Sequence, residues 1–176
     1  MAGSRRRWGW HQLDPDVATR LVSEARLPPR ALVIDVGAGL GAVTAPLVDA
    51  GHRVIAVENH HGRATALEEQ FGRHVTVVRA DAADLRLPRR PFHVVANVPF
   101  AVTSPLLRRL MHRGSRLVSA HVVVQEQAAH RWAGVDAPGR NRWEREFVVS
   151  LGRPLPPTAF VPPPRVSARV LEIVRR

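Results

Sequence analysis

Residues 31–41 read Ala-Leu-Val-Ile-Asp-Val-Gly-Ala-Gly-Leu-Gly, and the fold is decided there. Ala31–Val36 is a short aliphatic run, the pattern of a strand buried on both faces. Gly37, Gly39 and Gly41 then form a turn through which backbone can approach a ligand closely, with the free N–H groups of a helix start behind it. A helix is predicted over 42–50, a strand over 53–58, a helix over 63–71 and a strand over 74–79. The alternation continues with a strand over 92–97, a helix opened by Ser104-Pro105 and ending near His112, a strand over 117–125 and a short helix over 126–132. Residues 134–141 read as a loop. Two last strands, 145–151 and 166–174, flank a Pro-rich connection from Pro154 to Pro164. Upstream, Asp14-Pro15 gives an N-cap and first-turn Pro for a helix reaching Arg26. The pattern predicts an α/β fold, Rossmann-like: a mostly parallel seven-stranded sheet with helices on both faces and ligand at the carboxyl ends of its strands.

With 176 residues, 45% of them hydrophobic and 23% charged, the chain reads as one ordinary domain. Residues 1–13 are expected to form a basic N-terminal arm and 14–176 the folded domain that carries the candidate site. No apolar run is long enough for a bilayer, and no apolar segment follows the Arg-rich start, so cytoplasmic residence without a membrane partner is expected. The sequence has no cysteine, which excludes disulfides, cysteine-ligated metal and thiolate nucleophiles. His60-His61 has no third ligand beside it and reads as a solvated turn, so no metal is expected.

The net charge is +11, from 26 basic residues, all Arg, against 15 acidic ones. A G- and C-rich genome explains Arg over Lys but not the excess over acids, which points to a polyanionic partner, nucleic acid first. From Leu85 to Gln125 there is no acidic residue. Candidate RNA contacts are Arg5, Arg6 and Arg7 in the arm, Arg108 and Arg109 in the acid-free stretch, and Arg140 and Arg142 in the loop between Trp132 and Trp143. Trp8, Trp10, Trp132 and Trp143 suit either base stacking or cover of the core.

Glu58 ends the second strand, where a carboxylate can accept both hydroxyls of a ribose, and Asn59 lies beside it. Asp81, with Ala82, follows the third strand, where it can accept an adenine amino group. The set describes an adenosine-containing cofactor, but Gly37, Gly39 and Ala42 also satisfy the dinucleotide fingerprint G-x-G-x-x-G/A. The fourth strand separates NAD from S-adenosylmethionine. It ends in Asn97-Val98-Pro99-Phe100: an amide, a fixed turn and an aromatic ring. An adenine amino group is a poor nucleophile because its lone pair is delocalised into the ring. The Asn97 side-chain oxygen and the Val98 carbonyl can accept its two hydrogens and pull the nitrogen towards a tetrahedral form. Phe100 can stack on the extruded base, and Pro99 holds the carbonyl in place.

These residues resemble the rRNA adenine-N6 methyltransferases, which include the erythromycin-resistance (Erm) enzymes and the small-subunit dimethyladenosine transferases of KsgA type. The resemblance rests on Asp35–Gly41, Glu58, Asp81-Ala82, Asn97–Phe100, Thr103–Leu107, Val123–Glu126 and Phe160–Ser167, in family order along nearly the whole chain. The last segment resembles F-x-P-x-P-x-V-x-S, one residue shorter near its end, and Phe160 is expected beside the target. The resemblance implies a class I S-adenosylmethionine-dependent methyltransferase fold. It also implies that Asp35, Gly37, Ala38, Gly39, Gly41, Glu58, Asn59, Asp81, Ala82 and Asn97 hold the cofactor. Asn97, Val98, Pro99 and Phe100 then position the target base.

Two departures stand out. Where the family carries a Q-N-F-L-like lid over the cofactor, this chain reads Trp10-His11-Gln12-Leu13, with His11 and Leu13 as the candidate contacts. The C-terminal helical domain of the family is expected to be absent. The expected activity is N6 methylation of a 23S rRNA adenine by a monomeric enzyme, which by resemblance gives resistance to macrolide-lincosamide-streptogramin drugs. The small-subunit enzyme is the nearest rival, and a non-catalytic RNA-binding factor of the same fold or an NAD oxidoreductase represents a different class.

Overall fold

The computed structural model describes residues 11–176. Arg5, Arg6, Arg7, Trp8 and Trp10 lie outside the described residues. Among the described residues nine strands occur: β1 (Gln12–Leu13), β2 (Leu32–Val36), β3 (Arg53–Val57), β4 (Val75–Val78), β5 (Phe92–Asn97), β6 (Leu117–Gln125), β7 (Phe147–Leu155), β8 (Phe160–Val161) and β9 (Ala168–Arg175). The helices are α1 (Pro15–Glu24), α2 (Thr44–Asp49), α3 (His61–Phe71), α4 (Thr103–Leu110), α5 (Glu126–Ala133) and α6 (Arg140–Trp143).

Seven strands form one sheet in the order β4-β3-β2-β5-β6-β9-β7, parallel from β4 to β6, with β9 antiparallel to both neighbours. The order reverses between β2 and β5, so their carboxyl ends open a crevice at the topological switch point. Alternation along each strand builds two cores. Ile34, Val94, Ala96, Val122 and Val124 face α4 and α5, while Val33, Val95 and Val123 face α1, α2 and α3. Trp132 and Trp143 are buried in the first core, ring centroids 6.5 Å apart, so neither is offered to RNA.

Most predicted elements occur within a few residues of their expected bounds, and the differences have local causes. Asp14 caps α1, accepting from the Asp16 amide at 2.9 Å. By contrast α2 begins at Thr44 rather than 42, because Gly37, Gly39 and Gly41 all adopt left-handed backbone (φ 75°, 61° and 89°) and postpone regular helix. Ser104 does not cap α4, which starts at Thr103; its hydroxyl instead accepts from the Trp132 indole at 3.4 Å. The loop predicted at 134–141 leads into α6. The Pro-rich connection contains β8, which pairs antiparallel with β1 and clamps the start of the described chain to the sheet's ligand end. Among the described residues no helix is long and apolar enough to cross a membrane.

The face of the sheet towards α1 carries a polar strip. His93 on β5 and His121 on β6 are buried, His93 sharing a 2.8 Å hydrogen bond with the Ser119 hydroxyl. Burial holds both imidazoles, and that of His52, below the usual range; His52 and His121 lower His93 further, while Glu172 and Glu24 pull His121 partly back. Groups with lowered imidazole pKa values bind protons more weakly in the fold than in the unfolded chain, so their contribution is lost as pH falls below about 6.5. The double variant His93→Asn/His121→Gln should therefore lose less stability than the parent between pH 7 and pH 5, read as Tm. An equal or larger loss would refute this account of the strip.

Candidate active site

The crevice between the ends of β2, β3 and β5 is a cavity of about 600 Å³. Its wall begins with the glycine turn. The Gly37 and Ala38 amides both donate to the Val57 carbonyl, at 2.8 and 3.0 Å, lacing β2 to the end of β3. A Cβ on Gly37 would stand 2.7 Å from Pro99 Cδ, so the absence of a side chain there lets the Asn97–Phe100 turn approach. Gly41 meets a different need. A Cβ there would strike the Phe71 ring at 2.7 Å, and Gly41 does not border the cavity, so its role is packing and not the expected cofactor contact.

Glu58 is 4% exposed and held on both oxygens. Oε2 accepts from the Gly39 amide at 2.9 Å; Oε1 accepts from the His60 amide at 2.8 Å and pairs with Arg63 at 3.2 Å. Asp35 is also buried, accepting the Thr44 hydroxyl at 2.7 Å. Burial pushes the Asp35 carboxyl up to about 7; the Thr44 bond opposes the shift and the neighbouring Glu58 carboxylate adds to it. Asp81 is exposed, and its Oδ1 accepts the Ala83 amide at 2.8 Å, starting a single 3₁₀ turn over Ala82–Asp84.

On the opposite wall the Asn97 side-chain N–H donates to the His11 carbonyl at 2.7 Å. With its nitrogen fixed in this way, the amide oxygen is the end left for a ligand. The Val98 amide donates to the Val123 carbonyl at 3.2 Å, and the Pro99 carbonyl accepts from Val102 at 3.0 Å, which pins the turn at both ends. Phe100 is half-buried, its ring 6.5 Å from that of His11 at 30°. His11 also shares a 2.8 Å hydrogen bond with the Pro162 carbonyl, and Leu13 is buried beneath it.

His11, Leu13, Asp35, Gly37, Ala38, Gly39, Glu58, Asn59, Asp81, Ala82 and Asn97 all border this one cavity, together with Val98, Pro99 and Phe100. Several expected RNA contacts lie elsewhere. Phe160 is 2% exposed, with its ring in the core beside Leu13, which leaves it no face for a base. Arg109 is committed internally, donating to the Ala83 and Leu85 carbonyls at 2.9 and 3.1 Å, so it braces the Asp81 loop. Arg140 pairs with Glu144 at 2.9 Å and donates to the Gly134 carbonyl. Arg108 and Arg142 are exposed. Sequence reasoning misses Thr44 and Arg63; the available signal for Arg63 is its place in the first turn of α3, directly after the strand end that carries Glu58. Among the described residues no group of three or more His, Asp or Glu is placed to hold a metal ion.

The cavity suits S-adenosylmethionine on three observations: volume within the range of small-ligand sites, a glycine-containing turn as one wall, and the carboxylates of Asp35, Glu58 and Asp81 along its border, able to accept from an ammonium, a ribose and an amino group. Together with the strand order and the antiparallel β9 inserted before the edge strand, this is a class I S-adenosylmethionine-dependent methyltransferase. Residues 4–176 match the family described as ribosomal RNA adenine dimethylase, and the chain belongs to that family. It is 34% identical over 180 residues to the probable ribosomal RNA small subunit methyltransferase A of Pyrobaculum islandicum, covering 98% of this chain and 73% of the relative. It is 35% identical over 147 residues to the rRNA adenine N-6-methyltransferase of Corynebacterium diphtheriae, covering 82% of this chain and 57% of that protein. The crystal structure of the 23S rRNA methyltransferase ErmE superposes with a TM-score of 0.83 at 25% identity, over 94% of this chain and 70% of that one. The chain thus spans between about half and three quarters of the length of these proteins.

Replacing Gly37 by Ala places a Cβ in left-handed backbone and against Pro99. A cost of about 2 kcal/mol or more is expected, measurable by denaturant unfolding. Asp35 has the opposite pH signature to the histidines. Its raised pKa means that the fold holds a proton the unfolded chain has lost, so its contribution declines as pH rises from about 4 to about 7. Asp35→Asn should gain Tm relative to the parent at pH 8 compared with pH 5; no relative change would argue that Asp35 titrates normally.

Proposed function

We propose that this chain transfers the methyl group of S-adenosylmethionine to the N6 amino group of an adenine in small-subunit ribosomal RNA. The choice of subunit rests on the relatives that match nearly the whole chain, several of which are named small-subunit methyltransferase A. The sequence alone favours 23S rRNA; the balance of relatives favours the small-subunit reading. The ErmE likeness supports 23S rRNA as a second reading, and drug resistance follows only from that one.

The chemistry rests on one observation: Asn97, at the crevice, has its amide nitrogen tied to His11 and its oxygen left to accept. That oxygen and the Val98 carbonyl take the two hydrogens of the adenine amino group, localising the nitrogen lone pair. No matched general base is required, because the amine becomes acidic once alkylated. Phe100 offers a ring for the extruded base to stack on. When bound, the cofactor supplies a methyl activated by its sulfonium; the protein's part is placement. Glu58 receives the ribose hydroxyls, Asp81 and Ala82 the adenine edge, and Asp35 the methionine ammonium beside the turn.

Incubating the protein with labelled cofactor and each ribosomal RNA, then mapping the label, tests the assignment. Label on an adenine of the small-subunit RNA is expected; label confined to 23S rRNA selects the second reading, and no label on either sinks both. Asn97→Ala should keep cofactor affinity within about threefold while transfer falls about 10²-fold or more. Parallel loss of cofactor binding would contradict the role given to Asn97. Because Asp35 gains charge near pH 7, cofactor affinity measured by calorimetry should rise from pH 6 to pH 8 and stay flat in Asp35→Asn.

A further inference from the structure

The arginines of the acid-free stretch do not surround the crevice. Arg89 and Arg90 precede β5, and Arg113 and Arg116 precede β6, so all four stand at the amino-terminal rim of the parallel sheet. The Phe92 amide donates to the Arg116 carbonyl at 3.2 Å, which brings the two segments side by side. Arg30, just ahead of β2, and Arg145, ahead of β7, extend the row along the same rim. All six are exposed, and none makes an ion pair among the described residues.

Arg175, on the same rim, shows the contrast. Its guanidinium donates to the Leu117 and Ser115 carbonyls, pairs with Glu146 at 2.8 Å and lies 4.5 Å over the Phe147 ring. That arginine locks β6, β7 and β9 together. Its six neighbours are held by no ion pair among the described residues, and like charges gathered in this way repel one another. Exposed guanidiniums suit the phosphate oxygens of a nucleic acid, which they can grip in pairs.

We infer that this rim is a second RNA-docking surface, which grips the phosphate backbone of a ribosomal RNA helix remote from the target adenine. The inference builds on the proposed rRNA substrate. It adds a contact on the far side of the domain from the crevice, about 17 Å away along β5. An RNA limited to a few nucleotides around the target stays at the crevice, whereas folded ribosomal RNA brings further helices to the rim. The surface reads backbone and not sequence.

The test is Arg89→Gln/Arg116→Gln against a control, Arg20→Gln/Arg131→Gln, that removes the same charge elsewhere. Affinity for full-length small-subunit rRNA is titrated at several salt concentrations, with cofactor binding as the check on folding. The rim variant should bind the long RNA more weakly and flatten the log–log salt slope by about 1.5, with cofactor affinity unchanged. The control should change the slope by less than half as much. An unchanged slope in the rim variant, or an equal change in the control, overturns the inference. So does a loss confined to anionic vesicles with RNA binding intact. The outcome is independent of methylation: if the wild type transfers no label but the rim variant still flattens the slope, the functional reading fails while the docking surface stands.

Discussion

Two turns have to occupy nearly the same space. The glycine turn after β2 and the Asn97–Phe100 turn after β5 meet where a Gly37 Cβ would stand 2.7 Å from Pro99. Everything chemical in the protein follows from this closeness. It sets the glycine turn directly against the turn that begins with Asn97. It also explains why Gly37 tolerates no side chain, although the residue itself carries no chemistry. The Val57 carbonyl and the Glu58 carboxylate hold the glycine turn from the β3 side, so three strands share the work of fixing one wall.

Electrostatics divide the molecule into two ends. At the crevice the buried carboxylates of Asp35 and Glu58 lie close enough for one to disfavour ionisation of the other, and Thr44 and Arg63 temper the pair. At the opposite rim the imbalance is reversed: Arg175 is paired, while Arg89, Arg90, Arg113 and Arg116 make no ion pair among the described residues. In the parent protein the histidine strip and Asp35 work against each other across the same pH range. Their effects separate only by comparing variants.

The glycine turn, the strand–helix alternation and the crevice residues were legible because each rests on a short local pattern whose geometry is nearly obligatory. Asp35 to Gly39, Glu58, Asp81 and Asn97 needed only the alternation of strands and helices to be placed together. What could not be read depended on partners far apart in sequence. The pairing of β1 with β8 joins residues about 150 positions apart and leaves no periodic trace in two-residue strands. Phe160 was expected beside the target, yet the register Leu13↔Phe160 buries it. Charge was legible as a total but not as a distribution: of the arginines in one acid-free stretch, Arg109 braces a loop while Arg89 and Arg116 face solvent.

The bond from Asn97 to the His11 carbonyl makes the orientation of that side-chain amide conditional on residues 11–13. Residues 11–13 stay in place through two strand-to-strand pairs and a ring nitrogen on Pro162. Lifting that short ribbon takes away the acceptor that tells the amide which way to point. The same short ribbon thus lines the crevice and orients the Asn97 amide.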